Sequence, residues 1–297
     1  MRAPVVLAYL ACSSIWGTTY FAIRVCIGPG GYPTYLAAAI RFVIATLILT
    51  AVVRLGGARP GPRSLAQLGW IGVAGLFVFG SYALIYTAEQ SIPGGLACVI
   101  YGTQPLVTAI LTAATGTERA SRSAVAGAIV SLVGIGIIFW DRLGVSSAQA
   151  TGVALVFCAV VLATLFNIVI KRKAAGVHPL VQNAWVLGTI AGAMMIPTLV
   201  EHSPLPWPPP FAPTVALFYL AVVGSVVAFG AYFYLIQHAP LMTASTTVLV
   251  QPVIALFVDA VWETQKIDAS SYVGAAVTIA GVAVSFGVAA RRRPTVG

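Results

Sequence analysis

The chain has 297 residues, 59% hydrophobic and 8% charged, with a net charge of +9 and a mean hydropathy of +0.96. A soluble domain carries roughly 25% charged residues, so this composition excludes a water-soluble globular protein and makes lipid the solvent for most of the outer surface. The positive charge does not mark a nucleic-acid binder, because the basic residues sit mostly in short connections between apolar runs, where they set membrane topology.

A helix crossing the ~30 Å hydrocarbon core needs about 20 apolar residues. The sequence predicts an all-α integral membrane fold with ten such spans, at 4–23, 33–53, 65–88, 93–115, 123–140, 148–170, 179–200, 212–236, 240–262 and 270–290. The first opens on Met1-Arg2, and Tyr9-Leu10-Ala11-Cys12 has the look of a lipoprotein cleavage site. The apolar run nevertheless continues through Trp16 to Ile23, which reads as an uncleaved helix and not a signal peptide. Trp16 and Tyr20 are four apart in it and share a face.

The second span holds Arg41, the one charge deep in a span, with no acidic neighbour at helical spacing. It lies ~12 Å along the helix from Pro33. The third span carries Tyr82 and Tyr86 on one face, and the fourth carries Tyr101, Gln104 and Pro105. The seventh holds Trp185 and a Gly188-xxx-Gly192 pair suited to close helix approach. Five prolines between 201 and 211 predict a stiff, extended loop. Tyr232 follows in the eighth span, and Thr243, Ser245, Thr246, Thr247, Gln251 and Pro252 in the ninth. Each mid-span proline frees the carbonyl four residues before it, here those of Tyr101 and Val248. Cys12, Cys26, Cys98 and Cys158 read as small packing residues.

With the N-terminus placed inside, twelve Lys and Arg fall on the inner connections and three on the outer ones. That asymmetry predicts a multi-pass chain with both termini cytoplasmic.

The chain also repeats itself. Gly127–Gly134 aligns with Gly274–Gly281 at an offset of 147 residues, as do Phe139 with Phe286, Gln104-Pro105 with Gln251-Pro252, and Arg24 with Lys171. Phe79-Gly80-Ser81-Tyr82 aligns with Phe229-Gly230-Ala231-Tyr232 at 150, which requires a three-residue gap. The predicted halves are 1–146 and 147–297, with five spans each. An odd number of spans inverts the second half, the arrangement that supports alternating access.

Trp16-Gly17-Thr18-Thr19, Arg41-Phe42, the two Gln-Pro pairs and the Gly-rich fifth and tenth spans together resemble the drug/metabolite transporter superfamily, EamA type. The resemblance covers nearly the whole chain. Within the superfamily the chain looks most like the YddG-type aromatic amino-acid exporters of the bacterial inner membrane. That resemblance implies outward movement of phenylalanine, tyrosine, tryptophan and related compounds; the alternative is an exporter of other small metabolites or drugs, such as aliphatic amino acids or nucleosides. The halves are not equivalent, since Ala163-Thr164 replaces Trp16-Gly17 and the seventh span holds no arginine to match Arg41.

The candidate substrate-binding residues are Trp16, Tyr20, Arg41, Tyr82, Tyr101, Gln104, Trp185, Tyr232, Thr247 and Gln251. Aromatic rings suit an apolar or aromatic substrate, and Arg41 suits a carboxylate. For Arg41 the competing roles are to bond carbonyls of a neighbouring helix or to snorkel outward. For the glutamines it is to tie helices together. For the hydroxyls of the ninth span it is to bond back onto their own helix. Trp70, Trp140, Trp207 and Trp262 lie near span ends and read as interfacial.

No carboxylate falls at mid-membrane, so proton coupling through a buried acid is not expected. An intramembrane enzyme is disfavoured, because His178, His202 and His238 all lie at span ends and no HExxH occurs. A channel is disfavoured by the inverted repeat. The implied partners are the lipid bilayer and a small-molecule substrate, with no nucleic acid, no metal and no cofactor.

Overall fold

The computed structural model describes residues 3–88, 91–92, 94–140, 149–200, 204–262 and 268–287, with Tyr86 and Asp259 described by backbone only. Arg2, Glu89, Asp141, Arg142, Glu201, His202, Glu263, Lys266 and Arg291–Arg293 therefore lie outside the described residues. Thirteen α-helices follow in chain order among the described residues: α1 (Ala3–Ile27), α2 (Thr34–Leu55), α3 (Leu65–Ala88), α4 (Gly94–Tyr101), α5 (Gln104–Ala114), α6 (Arg122–Ile138), α7 (Ala150–Lys173), α8 (Pro179–Val200), α9 (Phe211–Ala221), α10 (Ala228–His238), α11 (Leu241–Ser245), α12 (Thr247–Trp262) and α13 (Ala269–Gly287).

Nine helical segments among the described residues are long and apolar enough to cross a membrane, and Arg122–Ile138 is a shorter apolar tenth. Three spans are interrupted. α4 and α5 form the fourth, α11 and α12 the ninth, and α9 and α10 the eighth, the last pair joined by a π-helical segment at Val222–Val227. Hydrocarbon offers no hydrogen-bond partner, so helices that keep their backbone bonds internal are the structure this apolar sequence can adopt there.

The inverted repeat is visible where α6 crosses α13. The Ser131 hydroxyl donates to the Thr278 carbonyl at 2.9 Å. The Thr278 hydroxyl lies 3.4 Å from the Ser131 carbonyl. These two residues are 147 apart in sequence. On one side of them Gly127 faces Gly281, and on the other Gly134 faces Gly274. Shifting either pair by the repeat offset gives the other pair, so the contact is self-complementary about a pseudo-two-fold axis and the two helices run antiparallel. Glycine is required here because a Cβ at any of the four positions would meet backbone atoms of the opposite helix.

The three-residue gap in the repeat also has a structural counterpart. The turn from α10 to α11 holds only Ala239 and Pro240, whereas five residues, 89–93, separate α3 from α4. The shorter turn restores the common offset in the ninth span.

Gly188-xxx-Gly192 does not act as predicted. A Cβ on Gly188 would only touch Thr46, and Gly192 faces open space. Close backbone approach is concentrated instead at the α6–α13 crossing. The tryptophans near span ends are exposed, Trp70 least and Trp207 most. Of the cysteines, Cys12 and Cys26 are buried, but Cys158 is exposed.

Gly134→Ala forces a Cβ into the Thr278 amide and Gly274 carbonyl, whereas Gly136→Ala meets nothing within 4 Å. Overpacking against backbone that cannot yield costs about 1–3 kcal/mol. Thermal unfolding in detergent is expected to show a clear drop in Tm for Gly134→Ala and no drop for Gly136→Ala.

Candidate substrate cavity

A cavity of about 830 Å³ lies between the two halves. Its wall comes from α1, α2, α3, α4, α5, α7, α10 and α12. Helices α6 and α13 take no part in it and serve as the packing seam described above. Eight of the ten candidate residues stand on this wall, namely Trp16, Tyr20, Arg41, Tyr82, Tyr101, Gln104, Tyr232 and Gln251. Asn167, Phe166 and Phe229 join them and were not singled out from the sequence.

Two candidates do not reach the wall. Trp185 is 48% exposed and shares the outer face of α8 with Gly192, Ile196 and Leu199. The opposite face of α8, with Asn183, Leu187 and Ile190, is buried. Thr247 is fully buried, and its hydroxyl donates to the Ala244 carbonyl at 2.8 Å. Ser245 and Thr246 do the same to Met242 and Thr243, at 2.8 Å each. Three successive hydroxyls thus bond back onto their own turn, where α11 gives way to α12, and they shape the helix break instead of offering groups to a ligand.

The aromatic part of the wall is a connected cluster. Trp16 packs edge-on against Phe229 with ring centroids 5.2 Å apart and tilted against Tyr232 at 5.0 Å. Phe166 stacks on the far side of Tyr232 at 6.5 Å. Such pairs hold rings in fixed orientations beyond simple burial.

Arg41 is only 6% exposed. Its Nε donates to the Ser225 hydroxyl at 2.8 Å, and Nη2 to the Gly224 carbonyl at 3.4 Å. Ser225 in turn donates to the Leu220 carbonyl at 3.0 Å. The Trp16 indole N–H donates to the same Gly224 carbonyl at 3.3 Å. The wide π-helical turn therefore presents polar backbone that fixes both the arginine and the tryptophan. Trp16 offers a ring face to the cavity, since its one donor is used. Among the described residues no carboxylate stands on the wall to compensate Arg41, and Nη1 makes no hydrogen bond to any of them. Arg41 is buried and does not snorkel outward, and its anchoring and cavity-facing roles are compatible, with one edge of the guanidinium anchored and the other available.

The two mid-span prolines also point to the cavity. Tyr101 and Val248, each four residues before a proline, both stand on the wall. The break between α4 and α5 is bonded by Thr103, whose hydroxyl donates to the Ile100 carbonyl at 2.6 Å.

The basic connections gather at one end of the bundle. The His178 amide bonds the Pro60 carbonyl at 2.9 Å, and Arg172 bonds the Thr115 carbonyl at 3.0 Å. Lys171 closes this end. Its ammonium donates to the Ile236 and Ala239 carbonyls at 2.7 Å each and pairs with Glu118 at 3.4 Å. Glu118 accepts from the Leu241 amide at 2.7 Å. The cation thus sits at the C-terminus of α10 and the anion at the N-terminus of α11, each favoured by the local helix dipole. Deeper in, Tyr9 bonds Thr246 at 3.2 Å and meets Phe286 edge-on at 4.8 Å. The cavity wall runs the other way, to Ile27 and Thr34 where α1 passes to α2.

A family model described as "EamA-like transporter family" matches residues 3–140 and again residues 150–287. The chain belongs to the EamA-like transporter family. The two matches repeat at the offset seen across the α6–α13 seam, and membership makes the chain a small-molecule transporter of non-enzymatic type. Among the described residues no group of three or more His, Cys, Asp or Glu is placed to hold a metal ion. The chain is 29% identical over 256 residues to the uncharacterized inner membrane transporter YedA of Escherichia coli K12, covering 85% of this chain and 81% of that protein. It is 26% identical over 271 residues to a probable terminal-alkyne amino-acid exporter of Streptantibioticus cattleyicolor, covering 90% and 88%. A solved crystal structure shares the fold with a TM-score of 0.81 and 21% identity, over 99% of this chain and all of that one.

Cys98 lines the cavity, whereas Cys12 and Cys26 are buried. In a Cys158→Ser background, an impermeant maleimide is expected to modify Cys98 at least several-fold faster than the other two. Mass spectrometry of the labelled peptides reads this directly.

Proposed function

We propose that this EamA-like transporter is a carrier in a bacterial inner membrane that exports aromatic amino acids and related amphipathic carboxylates by alternating access. The observation that carries the reading is the wall itself, an aromatic cluster beside a buried arginine with no carboxylate among its described residues. A cavity of this size lies within the ~300–1,000 Å³ range of small-molecule sites. The rings would hold an apolar side chain by stacking and burial, and the available edge of Arg41 would take a carboxylate. A cationic drug would meet uncompensated positive charge.

The location is supported by the name of YedA as an inner membrane transporter and by the apolar spans. We place both termini, and with them the basic end, in the cytoplasm on the positive-inside rule. The cavity then faces outward, with the Lys171–Glu118 closure on the cytoplasmic side. The two predicted halves, 1–146 and 147–297, would exchange conformations to open the opposite side. A second reading, an amino-acid carrier not confined to aromatic side chains, is favoured by the relative named as a terminal-alkyne amino-acid exporter.

Competition against labelled phenylalanine in proteoliposomes tests the substrate class. Tryptophan and tyrosine are expected to compete strongly, leucine weakly, and an aromatic amine such as phenethylamine hardly at all. Equal competition by leucine would transfer the assignment to the second reading. Arg41→Gln removes a charge-assisted bond of about 1.5–3 kcal/mol, so KM for phenylalanine should rise roughly ten- to hundred-fold. Phenylalanine flux should also carry no protons, because no acid among the described residues of the wall can shuttle them, and substrate-dependent acidification of the vesicles would contradict this.

A further inference from the structure

The repeat predicts which polar groups on the wall should pair, and one pairing is open. Tyr20 aligns with Asn167, and Gln251 with Gln104, both at the common offset. In one image the pair is closed, since the Tyr20 hydroxyl donates to Gln251 Oε1 at 3.4 Å. In the other image Asn167 and Gln104 do not bond each other. Asn167 Oδ1 accepts instead from the Tyr232 hydroxyl at 3.0 Å, which leaves Asn167 Nδ2 and Gln104 Oε1 buried with no hydrogen-bond partner in the protein. Asn167 is fully buried and Gln104 is 3% exposed, and both side chains line the cavity.

Buried polar groups are nearly always hydrogen-bonded, and each exception calls for an explanation, such as a water or another molecule that completes it. Ser13, Ser81, Gln182 and Asn183 hold such atoms as well, and of these Ser81 alone lies on the wall, but only Asn167 and Gln104 are the images of a closed pair. Here one orphan is a donor and the other an acceptor, on facing elements of the same wall. The last torsion of an amide side chain has a broad potential, so either group can turn toward the space without leaving its rotamer.

We infer that Asn167 and Gln104 form the specificity-determining half of the site and read a substrate head group that carries both an acceptor and a donor, a zwitterionic amino-acid head. Gln104 Oε1 accepts from the ammonium, and Asn167 Nδ2 donates to the carboxylate alongside Arg41. The cavity is then asymmetric by construction, with a closed polar pair on one side of the pseudo-axis and a reading pair on the other. This rests on the aromatic-carboxylate reading above, and it adds the requirement for the amine.

The test compares phenylalanine with phenylpropionate, which lacks the amine, and with phenethylamine, which lacks the carboxylate and any acceptor in its place. In the wild-type carrier phenylalanine should bind on the order of tenfold or more tighter than either analogue, because each leaves one buried group unpaired. Gln104→Met should bring phenylpropionate to within about threefold of phenylalanine, and Gln104→Glu should keep the wild-type preference. Asn167→Leu should narrow the preference for phenylalanine over phenethylamine without abolishing it, because Arg41 still takes the carboxylate. Equal wild-type affinity for phenylalanine and phenylpropionate overturns the inference and leaves the aromatic-carboxylate reading standing, a result that needs no variant to fold. An unchanged preference in a folded Gln104→Met also overturns it. If none of the three compounds binds the wild-type protein, the substrate reading falls and the inference falls with it.

Discussion

A backbone carbonyl or amide in hydrocarbon has no water to bond, and this constraint orders the rest of the molecule. The three interrupted spans are tolerated because their irregular turns face inward and are satisfied there. Thr103 and the serine and threonines of 245–247 bond the breaks in the fourth and ninth spans. The π-helical turn of the eighth is held by Trp16 and Arg41 through the Gly224 carbonyl. Residues beside all three irregularities line the cavity, or bond to residues that do. The cavity is therefore where the bundle concentrates its departures from regular helix.

Symmetry and asymmetry divide the work between layers. The α6–α13 seam is symmetric down to reciprocal serine and threonine bonds and glycine contacts. Such a seam holds the halves together without favouring one over the other. The cavity wall is asymmetric. Trp16 has Ala163 as its image, and Tyr20 has Asn167. A carrier needs the first property to exchange between two related states and the second to orient one substrate in one way.

The spans and the repeat were legible because each follows from a strict physical requirement. About 20 apolar residues are needed per crossing, and glycines are needed where backbones touch. Mid-span aromatic and polar residues were legible for the same reason, since Gln104, Tyr101 and Arg41 each need a partner that lipid does not supply. Helix rotation was not legible. Both faces of α8 are apolar, one toward the core and one toward lipid, so nothing in the spacing of Trp185 indicated that it points outward. Thr247 was ambiguous because a hydroxyl can satisfy itself on its own helix. Asn167 escaped attention as a neutral residue among charges and rings, although its alignment with Tyr20 carried the signal. The π-helical turn has no sequence mark comparable to a proline.

The central claim is that the chain is a carrier whose site alternates between the two faces, and trans-stimulated counterflow tests it most directly. Proteoliposomes loaded with unlabelled tryptophan should accumulate external labelled tryptophan transiently above equilibrium, with a rate that saturates and that falls in Arg41→Gln. Uptake that rises linearly with concentration and is indifferent to internal tryptophan would contradict a carrier and indicate a pore.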